Sequence, residues 1–166
     1  MKKVFSKGLI VSSVLLLLIS CKKEESTATV ADTNQTKIDT NKIKEEIQAK
    51  ENEFAATYNS GVAKSIGYYD NDAVTYPQNS QPIIGKTAIV EYLKNQKSTK
   101  GTVVSFTTKD VFVSTDGGQV VEVGYYILKD SLQGIINSGN YMSLFIKKDG
   151  KYYCLRDMST SNLPNE

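Results

Sequence analysis

Histidine is absent from all 166 residues of this chain, and that absence removes whole classes of chemistry. The side chain that most often serves as a general base near neutral pH, and most often ligates metals, has no representative. A Ser-His-Asp or Cys-His nucleophile cannot be assembled, and the usual zinc sites lose a main ligand. No metal and no cofactor are expected. Tryptophan is missing too, proline occurs three times, and cysteine only twice. With Cys21 closing an apolar N-terminal segment, Cys154 has no partner for a disulfide and is expected as a small buried apolar residue in a strand. Nor is there a charge excess. Three of the 20 Lys+Arg residues, Lys2, Lys3 and Lys7, precede Cys21, which leaves 17 against 18 Asp+Glu. A near-neutral body with interspersed signs offers no electrostatic footprint for nucleic acid.

What is present begins with those three lysines. An apolar run from Leu9 to Ile19 follows them and ends in Leu18-Ile19-Ser20-Cys21. A basic start, a short apolar core and a small residue before a cut describe a secretory signal. The run falls short of the roughly 20 apolar residues a spanning helix requires. Its closing tetrapeptide resembles the bacterial lipobox, whose cysteine is acylated through sulfur and becomes the first residue of the mature protein. The resemblance implies a signal peptide over 1–20, lipidation at Cys21, and a lipid-anchored place in the bacterial envelope, at the outer membrane and facing either periplasm or cell surface. From Cys21 to Lys37 there is no apolar periodicity, so the segment reads as a lipidated, disordered tether. Some sixteen flexible residues span ~20–25 Å. Lys22-Lys23-Glu24-Glu25 looks like the lysine-then-acidic signal that sends some lipoproteins to the surface of Gram-negative cells; it reads equally as a solvated start of the tether.

Residues 38–166 read as one domain. Ile43, Ile47, Phe54 and Tyr58 recur at helical spacing and predict a helix over about 39–59, capped by Asp39, Thr40 or Asn41 and stopped at Gly61. A shorter helix is expected to carry Val62, Ile66 and Tyr69, and a third to run over about 86–96, entered through Gly85. A short strand, Ala73 to Tyr76, lies between them. After Gly101 the period changes to two, with strands at about 102–114, 118–129, 138–148 and 151–160. Asp116-Gly117-Gly118 and Asp149-Gly150 suit tight hairpins because these residues tolerate positive φ. The fold class is therefore α+β: three N-terminal helices packed on a mainly antiparallel sheet.

The stretch Tyr69-Asp70-Asn71-Asp72-Ala73-Val74-Thr75-Tyr76-Pro77, then Pro82-Ile83-Ile84-Gly85-Lys86-Thr87-Ala88-Ile89 and Tyr92-Leu93, resembles the nuclear transport factor 2-like superfamily. Its SnoaL-like and calcium/calmodulin-kinase-association-like branches are the nearer likeness. Asn59-Ser60-Gly61, Gly139-Asn140-Tyr141, Asp149-Gly150-Lys151-Tyr152 and Arg156-Asp157 fit the same pattern, and the resemblance covers about 40–160. It implies a strongly curved sheet that forms a cone with the helices, and leaves activity open, since this scaffold hosts isomerases, dehydratases, cyclases and binding domains. Against the ketosteroid isomerase branch, the positions of the catalytic residues fall by eye at Phe54, at Tyr76 or Pro77, and at Met142, none of which can perform the required role. Asp70 and Asp72 serve the turn before they serve catalysis.

The expected reading is thus a lipid-anchored module whose cone holds a small apolar or aromatic ligand, or a partner protein, without chemistry. Its candidate pocket residues are Tyr58, Tyr76, Tyr92, Glu122, Tyr126 and Arg156, with Glu122 and Arg156 as a possible charge pair. The alternatives are a histidine-free isomerase, cyclase or hydrolase using Glu122, Asp72 or Asp157 with a tyrosine, and a structural subunit of an envelope complex. Tyr141, Ser143 and Phe145 share one strand face, and Met142, Leu144 and Ile146 the other. A strand apolar on both faces wants cover on both, so a homodimer through the sheet is expected.

Overall fold

In the computed structural model the described residues are 38–61, 66–96, 101–130, 132 and 134–163. The expected signal, Cys21 and the expected tether lie outside them. Two helices and six strands are found among the described residues: α1 (Thr40–Ser60), β1 (Tyr69–Tyr76), β2 (Ile83–Ile84), α2 (Lys86–Gln96), β3 (Val103–Val113), β4 (Gln119–Lys129), β5 (Ile135–Lys148) and β6 (Lys151–Ser161). The strands form one mixed sheet in the order β2-β1-β6-β5-β4-β3, antiparallel except where β1 runs parallel to β6.

The expected second helix requires correction. Residues 62–65 lie outside the described residues, Ile66 to Tyr68 are not helical, and Tyr69 opens β1. The spacing of Ile66 and Tyr69 imitates a helical stripe. In fact Ile66, Tyr68 and Tyr69 are all buried, and Cys154 N–H donates to Tyr68 O at 2.9 Å, which draws the segment onto β6. Burial in the sheet overrides the local pattern.

Local chemistry explains the other elements. Asp39 caps α1, its carboxylate accepting from Lys42 N at 3.0 Å, and Gly61 ends it at φ 82° with its N–H on Tyr58 O. The hairpin between β5 and β6 turns through Asp149 and Gly150, both at positive φ, as a tight two-residue turn requires. Gly85, at φ 88°, donates to Ala73 O at 2.8 Å and brings the chain into α2. The turn bond within β1 is made by Asp70, whose carboxylate accepts from Asp72 N at 3.1 Å and pairs with Lys148 at 2.6 Å.

α1 lies against β3, the edge of the sheet. Two side-chain amides of the helix pair with backbone that the edge leaves free: Gln48 accepts from Thr108 N at 2.8 Å and donates to Phe106 O at 3.1 Å, and Asn59 accepts from Val104 N at 3.0 Å and donates to Val104 O at 2.8 Å. They cover an edge that would otherwise invite pairing with another chain. The core beneath α1 holds Ile43, Ile47, Ile89, Val120, Phe145 and Cys154, the last a buried free thiol.

Three register shifts position the site. Between β3 and β4 the pairing moves from Thr108↔Gly124 to Asp110↔Val123; between β5 and β6 it moves from Leu144↔Arg156 to Phe145↔Cys154; and β1 against β6 shifts between Tyr69 and Val74. Each such irregularity inserts unpaired residues, bends its strand and changes which side chains face inward.

Candidate functional site

The helices and the inner face of the sheet enclose a cavity of about 310 Å³, partly open to solvent. Its walls are aromatic. Phe54 from α1 stacks on Tyr58 at 6.0 Å, meets Tyr68 at 4.8 Å and stands edge-on to Phe106 at 5.6 Å; Phe106 in turn meets Tyr141 edge-on at 5.4 Å.

Two glycines allow the tyrosine wall. Gly124 lies opposite Tyr141 and Gly139 opposite Tyr126 on neighbouring strands. A Cβ at Gly124 would collide with Thr107 O and the Tyr141 ring, and one at Gly139 with Thr160 O and the Tyr126 ring. Each ring thus lies flat over bare backbone, and Tyr141 can extend along the sheet to place its hydroxyl on Glu122.

The inner end of the cavity is acidic. Glu51 is 2 % exposed and sits on the α1 stripe one helical step beyond Ile47. Tyr68 donates its hydroxyl to Glu51 Oε1 and lies 3.4 Å from Ser143 Oγ. Glu122, fully buried on β4, accepts from Tyr141 at 2.8 Å and from Thr108 Oγ1 at 2.5 Å, both on Oε1. Asp157 accepts from Tyr69 at 2.9 Å on Oδ2. The second oxygens of both groups, Glu122 Oε2 and Asp157 Oδ1, are buried without a hydrogen-bond partner.

Burial raises the affinity of all three carboxyls for protons. Glu51 is pushed well above its ordinary value, first by burial and then by the neighbouring Glu122 charge, with the Tyr68 hydroxyl opposing. Glu122 is raised by burial, against the hydrogen bonds from Thr108, Tyr141 and Glu51. Asp157 is raised by burial, against Thr75 and Tyr69. Two adjacent buried carboxylates do not both ionise. The Glu51–Glu122 pair is therefore biased towards sharing a proton, with Glu51 the more strongly raised of the two. Burial also raises the phenols of Tyr68, Tyr69 and Tyr141, so they stay protonated and act as donors.

Of the residues singled out in the sequence, Tyr58, Tyr92 and Tyr126 line this cavity. Glu122 lies behind Tyr141, in contact with the site through that ring. Tyr76 and Arg156 lie elsewhere: together with Val121, Met142, Leu144 and Met158 they border a shallow depression on the outer face of the sheet. The expected Glu122–Arg156 pair is therefore corrected. The shift at Leu155 turns Arg156 outward and Asp157 inward, and Arg156 Nη1 donates to Asp72 O at 3.1 Å and to Leu155 O at 2.6 Å instead. Phe54 and Pro77 line the cavity, whereas Met142 is on the outer face, 46 % exposed. Asp72 is exposed. Among the described residues no group of three or more His, Cys, Asp and Glu is placed to hold a metal ion.

Glu51 escaped the sequence reading although a signal was present. The stripe Ile43, Ile47, Phe54, Tyr58 skips one position, and Glu51 fills it. An acid on an apolar stripe is a buried acid, and a buried acid needs donors.

No protein-family model matches the sequence, and no curated protein matches it. Solved structures do resemble the fold. A domain of unknown function from Nostoc punctiforme with a cystatin-like fold superposes with a TM-score of 0.65 at 14% identity, covering 76% of this chain and 81% of that one. A ketosteroid isomerase-like protein from Erwinia carotovora atroseptica gives 0.58 at 14% identity, over 75% and 99% of the two chains. A nuclear transport factor 2-like protein of unknown function from Shewanella oneidensis gives 0.58 at 20% identity, over 69% and 96%. At such identities the likeness speaks for architecture alone. The chain has the nuclear transport factor 2-like, cystatin-like fold.

Proposed function

We propose that this is a lipid-anchored envelope protein whose domain binds a small ligand with an apolar or aromatic body, without transforming it. The observation that carries the reading is the cavity itself. Its volume of about 310 Å³ falls at the lower end of the ~300–1,000 Å³ typical of small-molecule sites, and its aromatic walls with few polar groups match their usual lining. The anchor rests on the sequence ending Leu18-Ile19-Ser20-Cys21 and on the tether that follows. A second reading, a proton-transfer enzyme, draws support from Asp157, which lines the cavity beside Tyr69 with a raised proton affinity. Glu122 is less suited to that role because Tyr141 stands in front of it, and Asp72 because it is exposed. We further propose a homodimer through the outer face of the sheet, where Tyr76, Phe112, Met142 and Met158 are 42–64 % exposed.

Native mass spectrometry of the protein extracted from membranes tests the reading in one measurement. The expected spectrum shows a chain beginning at Cys21 with acyl additions, and a co-purifying small molecule that is released unchanged. A soluble, unacylated chain would remove the anchor. A bound molecule converted on incubation would establish the enzyme instead.

A further inference from the structure

We propose that the ligand of this cavity is an organic amine, held by its ammonium group on Asp157 with its apolar body against the aromatic walls. The inference rests on the binding reading above and supplies the chemical class of the ligand. It begins from a balance of donors and acceptors. The hydroxyls of Tyr68, Tyr69, Tyr141 and Thr108, and that of Thr75 beside Asp157, are already spent on carboxylates. Among the buried side-chain atoms, what is left over is acceptor: Glu122 Oε2 and Asp157 Oδ1. Glu122 stands behind Tyr141 and does not line the cavity, which leaves Asp157, on the cavity wall, with an oxygen to offer. An acid with an acceptor to spare selects a ligand group that brings a donor.

Charge selects further. Glu51, Glu122 and Asp157 share one cluster, and the residues lining the cavity include no lysine or arginine. A positive charge brought by the ligand favours the ionised form of Asp157 that burial by itself disfavours, and charge-assisted bonds are about twice as strong as neutral ones. The walls suit the same guest: Phe54, Tyr58, Tyr69, Phe106 and Tyr126 all line the cavity, and aromatic faces attract ammonium groups. The terminal torsion of an aspartate is broad, so either oxygen can turn towards an entering N–H.

The test compares two probes of nearly equal shape, 2-phenylethylammonium and 2-phenylethanol, by isothermal titration calorimetry. The protein extracted from membranes is used in non-ionic detergent at pH 7, with detergent-only titrations subtracted. The ammonium is expected to bind at least about tenfold more tightly, the difference between a charge-assisted and a neutral hydrogen bond. Asp157→Asn is expected to remove about that factor for the ammonium and leave the alcohol within about twofold. Should the variant not fold, the comparison of probes on the unaltered protein decides. Equal or tighter binding of the alcohol would overturn the amine inference and leave the binding reading standing. No saturable binding of either probe up to about 1 mM, the limit of weak specific affinity, would overturn both.

Discussion

The two faces of β5 are built from alternating residues of one strand, yet they obey different rules. Inward, Tyr141, Ser143 and Phe145 are nearly fully buried, and each polar atom there has been given a defined place. Outward, Met142 is 46 % exposed and its neighbours Met158 and Phe112 more so, with only a shallow depression between strands. The inner face is costly to alter because its groups depend on one another: Gly124 makes room for Tyr141, Tyr141 satisfies Glu122, and Glu122 acts on Glu51. The outer face carries apolar side chains with no comparable dependence. Chemistry gathers where desolvation raises the energy of every unpaired group, and the outer face is left for association.

The contrast is broken most severely at Gly124. Gly124→Val places a side chain where Thr107 O and the Tyr141 ring already stand, and is expected to cost about 3 kcal/mol or more, since overpacking is joined by the loss of the Tyr141–Glu122 bond. Urea denaturation checks it. A variant as stable as the parent would mean that Tyr141 does not need the bare backbone.

The acid cluster sharpens the comparison through pH. Glu51, Glu122 and Asp157 have folded-state proton affinities above their ordinary values of 4.5, 4.5 and 3.8. For a raised group the stabilisation is complete below the ordinary value and is lost as pH rises through the folded one. Stability should therefore fall as pH climbs from about 4.5, by up to ~1.4 kcal/mol per pH unit for each group titrating. Glu51→Gln keeps a donor towards Glu122 and an acceptor for Tyr68, so its melting temperature should depend less on pH above the ordinary value of 4.5. Asp70 works in the opposite sense: the Lys148 ammonium lowers its proton affinity, so its contribution is lost only in acid, below 3.8. Parallel pH curves for the parent and Glu51→Gln would exclude the shared proton.

The smallest effect is expected outside. The double substitution Met142→Ser with Phe112→Ser should change the stability of the monomer by no more than about 0.5 kcal/mol per site, the usual range for exposed positions. Light scattering should nevertheless show a dimer becoming a monomer. A dimer that survives both changes would place its interface elsewhere.

Much of the architecture was legible because it is written in local codes. The stripe of α1, its Asp39 cap, the Asp149-Gly150 turn and the period-two strands after Gly101 each follow from neighbours in sequence. The second helix misled because Ile66 and Tyr69 are spaced as a helix would space them, while their burial depends on β6, more than eighty residues away in the chain. The site was legible only in part. Tyrosines at helical and strand spacing were visible as candidates for Tyr58, Tyr92 and Tyr126, and the gap in the α1 stripe pointed to Glu51 for anyone counting by fours.

Sequence alone determined the absence of histidine chemistry, the α+β layout and the supply of acids and tyrosines, because composition and periodicity are properties of the chain. Which of those acids meet, and which of Arg156 and Asp157 turns inward, was decided by the tertiary structure. The physical reason is the irregular register: Leu155 and Lys109 are each the extra residue of a shift between paired strands. One unpaired residue inverts the parity of everything beyond it. No periodicity within a single strand marks that place, since the shift is a relation between two strands.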